Sequence, residues 1–244
     1  MKAIILAGGM GKRLAPYTTI LPKPLLPVGD MPILEVVVRQ LRSRGITDIV
    51  MCVGYLGSLL EAYFGDGVKW DVHITYSYET EPLGTAGPIA LVGGISEPFL
   101  VMNGDVLTTL DYADMLEFHD RHPGIATIGL AQKRMQVDLG VIELDAAGVV
   151  SSYVEKPALD YLVSMGIYIF SPDVLGFIVR GARLDLPDLI LRLKDHGHSV
   201  VGYRGEYDWL DIGRPEDYAK AVDIFETDRA HYLPTPTTNA SDSI

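Results

Sequence analysis

Apolar runs alternate with helical patterns through the first half of the chain. Four short apolar runs predict buried strands, at residues 2–7, 48–53, 72–76 and 99–102. Apolar residues at helical spacing between these runs predict helices at residues 33–41, 56–64 and 85–92. Pro32 is suited to the start of the first helix, and Gly45 is suited to its end. Strands that alternate with helices are typical of βαβ units, so the pattern predicts an α/β fold with a mainly parallel sheet.

The second half has a different pattern, with strands that follow one another with few helices between them. These predicted strands cover residues 125–131, 140–144, 149–154 and 165–170. The segment Asp145-Ala-Ala-Gly148 predicts a tight turn between two of them, so the sheet is expected to be mixed here. Helices predicted at residues 172–180, 186–196 and 215–227 complete the fold. Residues 231–244 have no periodic apolar pattern and predict a flexible tail.

Size and charge limit the classes of protein to consider. The 244 residues suit one domain, expected to cover residues 1–230. A net charge of −12 argues against a nucleic acid as partner, so any basic site must be local. The chain has no apolar run approaching about 18–20 residues and no export signal, so we expect a cytoplasmic protein without a membrane contact. Monomer and homodimer both stay open.

The loop after the first strand carries the clearest chemical signal. The apolar run ends in Gly8-Gly9-Met10-Gly11-Lys12-Arg13, and Pro22-Lys23-Pro24 follows soon after. Glycines let backbone N–H groups approach an oxyanion, and the cations can neutralise a polyphosphate. A dinucleotide-binding loop needs glycine where Leu14 stands, and a P-loop needs Ser or Thr where Arg13 stands. The pattern therefore indicates a phosphate cradle of another kind.

Three further segments accompany this loop: Asn103-Gly104-Asp105 at a strand end, Glu155-Lys156-Pro157, and Trp209-Leu-Asp-Ile-Gly213. Together they resemble the sugar-1-phosphate nucleotidylyltransferases, a family that includes mannose- and heptose-1-phosphate guanylyltransferases and glucose-1-phosphate thymidylyltransferases. The resemblance continues through residues 81–87 and 207–215 and reaches about residue 227. It implies a Rossmann-like (GT-A-like) fold, with a mixed, mainly parallel central sheet flanked by helices. It also implies that residues 1–110 bind the nucleotide and residues 111–230 the sugar phosphate.

The resemblance implies that a sugar 1-phosphate attacks the α-phosphate of a nucleoside triphosphate, with Mg²⁺ as cofactor and pyrophosphate as leaving group. Its metal ligands would be Asp105 and Asp211, which suits the preference of Mg²⁺ for one or two carboxylates plus phosphate oxygens. The catalytic set would be Arg13, Lys23, Asp105, Lys156 and Asp211. The nucleotide would contact Leu6, Ala7, Gly8, Gly9, Gly11, Lys12, Glu79, Glu81, Gly84, Asn103 and Gly104. The sugar phosphate would contact Gly140, Glu155, Lys156, Gly166 and Tyr168.

The choice of nucleobase depends on an acidic residue. Members of the family that transfer thymidylyl or uridylyl groups often have Gln at the position that matches Glu79, and Glu81 is a second candidate for the same role. A carboxylate only accepts hydrogen bonds, and guanine offers two adjacent N–H donors where uracil and thymine offer one. We therefore expect GTP, with a manno- or heptose-type 1-phosphate as its co-substrate.

Four other functions are alternatives to guanylyl transfer. A pyrimidine nucleotidylyltransferase acting on glucose 1-phosphate or a cyclitol phosphate uses the same residue types. A non-catalytic homologue that binds a sugar nucleotide could keep the fold, but it would not need the pyrophosphate-handling cations Arg13 and Lys23. A metal-dependent glycosyltransferase would not need a triphosphate cradle. A dinucleotide-dependent oxidoreductase is excluded by Leu14 and by the prolines of the loop.

Overall fold

The computed structural model describes residues 1–233. Its strands are β1 (Lys2–Ala7), β2 (Pro27–Val28), β3 (Met31–Pro32), β4 (Asp48–Val53), β5 (His73–Tyr78), β6 (Phe99–Asn103), β7 (Val106–Thr108), β8 (Ala126–Gln136), β9 (Val141–Leu144), β10 (Val150–Val154), β11 (Ala158–Phe170), β12 (Val200–Arg204) and β13 (Trp209–Asp211). Its helices are α1 (Ile33–Ser43), α2 (Gly57–Phe64), α3 (Tyr112–Arg121), α4 (Leu186–Asp195), α5 (Pro215–Thr227) and α6 (Arg229–Tyr232).

A seven-stranded sheet in the order β12-β8-β11-β6-β1-β4-β5 forms the centre of the fold. Strands β5, β4, β1 and β6 are parallel, as the βαβ pattern predicts. Strand β11 runs antiparallel to both β6 and β8, and β12 is parallel to β8. The predicted α/β class and the mixed, mainly parallel sheet are therefore confirmed.

Both faces of the sheet are covered, which explains why the central strands are apolar throughout. Along β1, Ala3 and Ile5 pack into the cluster on one face, which includes Leu34 and Leu41 of α1. Ile4 packs into the cluster on the opposite face, together with Leu189 of α4. The alternation of neighbouring residues between two cores is the period-two geometry of a strand.

A third cluster fixes the C-terminal part against the first half. It joins four residues from separate parts of the chain: Leu14 of the glycine-rich loop, Leu107 of β7, Ile212 just after β13, and Phe225 of α5. Beside it, the Gln40 side chain donates to the carbonyl oxygens of Thr108 and Tyr232, both at 2.8 Å. Gln40 is 7 % exposed, so these bonds satisfy polar groups that water does not reach.

Strands β8 and β11 continue past the central sheet as a two-stranded ribbon that ends in the β9–β10 hairpin. We call residues 132–163 the arm. Its outer strand pairing runs from Ala158↔Gln136 to Leu162↔Gln132. The side chains of β9 and most of β10 are exposed, because the arm has no second layer over it in the described part of the chain.

Several predicted elements differ from the observed ones. Helix α3 and strand β12 were not predicted, and β8 and β11 extend well beyond the predicted strands at 125–131 and 165–170. The helices predicted at 85–92 and 172–180 are short 3₁₀ turns, Gly87–Leu91 and Pro172–Phe177. Each contains a proline near its start, and neither continues into a regular α-helix.

The tail predicted at 231–244 is wrong in its first residues. Tyr232 closes α6, is 3 % exposed and accepts the hydrogen bond from Gln40. Residues 234–244 lie outside the described residues. The division into a nucleotide part and a sugar-phosphate part stays a prediction.

Among residues 1–233, the structure has no helix that is both long and apolar enough to cross a membrane.

The Gln40 network gives a test of the packing between the two halves. We expect Gln40→Ala to lower the free energy of unfolding by about 2–3 kcal/mol, because two buried carbonyl groups lose their donor. Urea unfolding followed by circular dichroism measures this change. Gln136→Ala, at an exposed glutamine of β8, should change stability by less than about 0.5 kcal/mol. Equal effects of the two substitutions would contradict a specific role for Gln40.

Candidate active site

The carboxyl ends of β1 and β6 bring the first two sequence motifs together. Leu6 pairs with Asn103 across the parallel strands, and the N–H of Gly104 donates to the carbonyl oxygen of Leu6 at 3.0 Å. The glycine-rich loop therefore starts beside Asn103-Gly104-Asp105. This is the edge at which ligands bind in open α/β sheets.

A cavity of ≈ 440 Å³ opens at this edge. Twelve of the predicted site residues line it: Leu6, Ala7, Gly8, Gly9, Gly11, Lys12, Arg13, Lys23, Glu79, Gly84, Asn103 and Asp105. The residues that line it without having been predicted are Leu14, Pro24, Cys52, Pro82, Thr85, Pro88 and Gly213. Its volume lies within the range of small-molecule sites.

The glycine-rich loop is shaped by contacts at both of its ends. Gly11 has a φ of 60°, and its carbonyl oxygen accepts hydrogen bonds from the Leu14 N–H and the Thr18 hydroxyl. Leu14 is fully buried in the third cluster. The loop is therefore anchored by an apolar residue, while Lys12 and Arg13 beside it stay at the cavity.

Lys23 and Asp105 form an ion pair at the wall of the cavity. The Lys23 ammonium contacts Oδ2 of Asp105, and the two side chains are 13 % and 16 % exposed. Oδ1 of Asp105 is buried and has no hydrogen-bond partner among the described residues. A buried carboxylate oxygen without a partner is costly unless a donor or a cation occupies the space beside it.

Asp211 reaches the same place from the other half of the chain. Strand β13 pairs with β7 so that Asp211 lies opposite Val106, and the N–H of Ile212 donates to the carbonyl oxygen of Asp105 at 3.3 Å. Burial raises the pKa of Asp211, and the Asp105 carboxylate raises it further, against the lowering effect of Lys23 and Arg13. The two carboxylates are thus close enough to repel each other.

Gly213 shows how tightly these charges are arranged. A Cβ atom built on Gly213 would lie 3.2 Å from Oδ2 of Asp211 and 3.6 Å from Nη1 of Arg13. The Arg13 guanidinium and the Asp211 carboxylate therefore both lie beside Gly213. Although Asp211 does not line the cavity, it adjoins it through Gly213.

Glu79 lies where the cavity meets the end of β5. Its Oε2 accepts from the N–H of Leu83 at 2.8 Å, and its Oε1 lies against Gly8, where any side chain would overlap it. Burial raises the pKa of Glu79, and the Leu83 amide acts in the opposite direction. Oε2 therefore holds the chain at Leu83, and the carboxylate still has acceptor positions for a further donor.

The remaining predicted nucleotide contacts do not line the cavity. Glu81 is exposed outside it, so the structure favours Glu79 as the acidic residue at the base end. Gly104 is buried against Ile5 and Pro24, where a Cβ would lie 3.2 and 3.4 Å from their side chains. Its role in this structure is close packing at the end of β1.

The predicted sugar-phosphate residues lie at or near the arm, and among the described residues that line the cavity none belongs to this set. Lys156 and Glu155 are exposed, and Oε2 of Glu155 accepts from the hydroxyl of Tyr153 at 3.1 Å, beside Gly140. Tyr168 is a core residue instead: it is 6 % exposed and its hydroxyl lies 2.8 Å from the hydroxyl of Ser164.

Gly166 connects this group to the cavity. It has a φ of 74°, and a Cβ at this position would lie 2.5 Å from Nδ2 of Asn103. Only a glycine allows the Asn103 amide, which lines the cavity, to approach β11 so closely. The base of the arm and the nucleotide side of the site therefore meet at Asn103.

Asp105 and Asp211 are the residues of this site that could hold a divalent cation. Within residues 1–233, no group of three or more His, Cys, Asp or Glu side chains could hold a metal ion by itself. Magnesium is held by one or two carboxylates, with phosphate oxygens and water as its other ligands. Asp105 and Asp211 meet that requirement.

Known proteins of similar sequence identify the family of the chain. Residues 2–227 match a family model described as nucleotidyl transferase. The chain is 34 % identical to a mannose-1-phosphate guanyltransferase from Schizosaccharomyces pombe over 100 % of this chain and 69 % of that protein. It is also 34 % identical to a UTP–glucose-1-phosphate uridylyltransferase from Synechocystis, over 91 % of this chain.

The chain spans 62 % of the length of the Synechocystis protein. Among solved structures, HddC from Yersinia pseudotuberculosis complexed with GMP-PN is similar with a TM-score of 0.70 and 25 % identity, over 92 % of this chain and 99 % of that one. The family model covers the glycine-rich loop, Asp105, Lys156 and Asp211 together. The chain therefore belongs to the nucleotidyl transferase family, among the sugar-1-phosphate nucleotidylyltransferases.

Proposed function

We propose that the protein transfers a guanylyl group from GTP to a manno- or heptose-type sugar 1-phosphate and releases pyrophosphate. One observation carries the proposal: two carboxylates, Asp105 and Asp211, meet two cations, Arg13 and Lys23, at the end of a glycine-rich loop. The name of the Schizosaccharomyces pombe relative supports guanosine and mannose as the base and the sugar.

In the proposed reaction, an oxygen of the sugar phosphate forms a bond to the α-phosphorus of GTP. The bond from that phosphorus to the bridging oxygen breaks, and the electron pair leaves with pyrophosphate. Lys12 and Arg13 stand at the loop where they can neutralise the departing pyrophosphate, and Lys23 can face the α-phosphate. Such transfers depend mainly on position and on charge stabilisation, which these fixed groups supply.

Asp105 and Asp211 would hold Mg²⁺. The buried, unpartnered Oδ1 of Asp105 is the observation that fits a cation here. Burial and the Asp105 carboxylate raise the pKa of Asp211, and a cation would offset that repulsion. When bound, the cation supplies Lewis-acid stabilisation of the phosphate oxygens. Lys23 neutralises part of the carboxylate charge through its ion pair with Oδ2 of Asp105.

Glu79 would read the base through its carboxylate, which also accepts from the Leu83 N–H. Glu155, Lys156, Gly140 and Gly166 are the proposed sugar-phosphate contacts. Nucleoside triphosphates as substrates support a cytoplasmic location. Monomer and homodimer both fit this function.

Uridylyl transfer to glucose 1-phosphate is the second candidate. The observation in its favour is a comparison with a known protein. The Synechocystis relative carries the name of that activity. A non-catalytic, regulatory role is less supported, because Arg13, Lys23, Asp105 and Asp211 all lie together.

The test is pyrophosphate release with Mg²⁺ for GTP, dTTP, UTP, CTP and ATP against mannose, heptose and glucose 1-phosphates. We expect release with GTP and a manno-configured sugar, and none with EDTA. Release with UTP and glucose 1-phosphate would select the second candidate. Nucleotide binding without release in any combination would favour the regulatory role.

In the productive combination, Asp211→Asn should lower kcat by roughly 10²–10³-fold, because the site loses a ligand for the cation. It should unfold at no lower urea concentration than the wild type, because burial and Asp105 already disfavour the charged form of Asp211. Asp223→Asn, at an exposed position of α5, serves as the control and should retain full activity. Near-normal turnover by Asp211→Asn would overturn the metal assignment.

Lys23→Met tests whether Lys23 and a divalent cation both neutralise the Asp105 carboxylate. Without metal, we expect a loss of about 2–4 kcal/mol in the free energy of unfolding, because Asp105 loses its counter-ion. Mg²⁺ should recover part of this loss, and should stabilise the variant more than the wild type. Urea unfolding with EDTA and with Mg²⁺ measures both effects.

The matched control for that experiment is Lys2→Met. It breaks the more exposed Lys2–Asp48 pair, whose side chains are 22 % and 46 % exposed, so its cost should stay below about 1 kcal/mol with no response to Mg²⁺. If Mg²⁺ shifted Lys23→Met and the wild type equally, the cation would not bind at Asp105.

The raised pKa of Glu79 predicts how GTP binding depends on pH. As the pH falls, Glu79 takes up a proton at a higher pH than an exposed glutamate, and GTP affinity should fall. Glu79→Gln should bind GTP about tenfold more weakly at neutral pH and with a flatter pH profile. Calorimetric titration measures both.

Removal of this carboxylate also has a predicted effect on stability. A carboxyl pKa that is raised in the fold means that stability falls as the pH rises from the unfolded-state pKa through the folded-state pKa. Glu79→Gln should remove that fall. Glu81→Gln, at the exposed neighbour, should keep both pH dependences of the wild type. If Glu81→Gln flattened the binding profile and Glu79→Gln did not, Glu81 would be the base reader.

A further inference from the structure

The loop at the base end of the cavity is tied to the start of a helix from the other half of the chain. We call residues 82–87 the base loop, because Pro82, Gly84 and Thr85 line the cavity beside Glu79. The N–H groups of Ala86 and Gly87 donate to the carbonyl oxygen of Leu184 at 2.8 and 3.1 Å. The base loop is thus held from about one hundred residues away in sequence.

Asp185 occupies the N-cap position of α4 but does not cap that helix. Its side chain makes no hydrogen bond to the first turn, although Asp at this position usually accepts from the N–H groups that follow it. Instead, Oδ1 of Asp185 accepts from the N–H of Thr85 at 3.0 Å, and the Thr85 hydroxyl lies 3.4 Å from the same oxygen. The carboxylate is therefore directed at the base loop.

Thr85 in turn supplies the helix with the acceptor that Asp185 does not. Oγ1 of Thr85 accepts from the N–H of Leu186, the first residue of α4, at 2.7 Å. Each segment thus satisfies a backbone donor of the other. The stability of the helix start is coupled to one position of the base loop.

The same contacts continue to the residue proposed to read the base. The carbonyl oxygen of Leu83 accepts from the N–H of Leu184 at 2.9 Å, while the N–H of Leu83 donates to Oε2 of Glu79 at 2.8 Å. Both polar backbone groups of Leu83 are hydrogen-bonded, the carbonyl to Leu184 beside α4 and the N–H to Glu79. A shift of the base loop would therefore move Glu79 or break its bond.

Gly84 shows that this contact is built closely. It has a φ of 78°, and a Cβ there would lie 2.6 Å from both Oδ1 of Asp185 and the carbonyl oxygen of Leu184. Any other residue would separate the base loop from α4.

We propose that Asp185 is a positioning residue that sets nucleobase selectivity, acting through Thr85 and Leu83 on Glu79. Asp185 does not line the cavity. The inference rests on the proposed function in one respect, that the base of the nucleotide lies at Glu79. It adds a residue from the sugar-phosphate half to the recognition of the nucleotide.

The test measures nucleotide binding in the absence of any sugar phosphate, so that it does not depend on turnover. Dissociation constants for GTP and UTP are measured by calorimetry with Mg²⁺ on the full chain. Asp185→Ala should raise the GTP constant about tenfold and lower the selectivity between GTP and UTP. Asp185→Asn keeps an acceptor at Oδ1 and should stay within about threefold of the wild type.

Two substitutions at the start of α4 serve as controls. Asp188→Ala removes an exposed acid from the same first turn, and Arg183→Ala removes the partner that lies 3.6 Å from Oδ2 of Asp185. Both should leave the two dissociation constants unchanged, because among residues 1–233 neither side chain has a hydrogen bond to the base loop. A loss of selectivity in Asp188→Ala equal to that in Asp185→Ala would overturn the proposal.

If Asp185→Ala does not fold, Thr85→Val and Thr85→Ser provide the comparison. Val keeps the shape of Thr without the hydroxyl, so it should lose selectivity, whereas Ser should keep it. Equal weakening for GTP and UTP, with their ratio unchanged, would overturn the role in selectivity. If the wild type binds GTP selectively but releases no pyrophosphate, the proposed transfer fails while the selectivity of the variants still decides this inference.

Discussion

The structure depends on one constraint, which is that two carboxylates must lie side by side in a partly buried place. The pairing of β13 with β7 imposes it, because Asp211 lies opposite Val106 and the Ile212 N–H bonds to the Asp105 carbonyl. Two such charges repel, and the raised pKa of Asp211 reflects both that repulsion and burial. Lys23 and Arg13 offset it, so the glycine-rich loop is needed for the fold of the site as well as for the proposed phosphate binding.

The short β7–β13 ladder would be too small to hold this arrangement alone. Apolar packing against one side of the two strands stabilises it. Leu107 and Ile212 are buried in the third cluster against Phe225, so α5 fixes both strands from the apolar side. Gln40 then ties the end of β7 to the carbonyl of Tyr232. The position of the carboxylates is therefore set by packing of the C-terminal helices. These helices follow all the other segments of the site in the sequence.

These features explain which parts could be predicted from the sequence. The parallel strands and the glycine-rich loop are contiguous segments, so their apolar runs and glycines were visible directly. Helix α3 buries little more than Tyr112, Met115 and His119, a weak apolar stripe, although Asp111 is an N-cap that accepts from the N–H of Ala113 and could have signalled it. Contacts such as Thr85 with Asp185 join residues one hundred positions apart and leave no local signal.

The same contacts bear on how the two predicted halves are related. The sheet itself runs across the boundary, because β11 pairs with β6. Gly166 meets Asn103 at the base of the arm, and Asp185 meets Thr85 at the base loop, so the halves touch at both ends of the cavity. Residues of the second half therefore help to shape the cavity from outside the first 110 residues. The division into a nucleotide part and a sugar-phosphate part stays a prediction about substrate contacts, whereas the hydrogen bonds and the shared sheet argue for one folding unit.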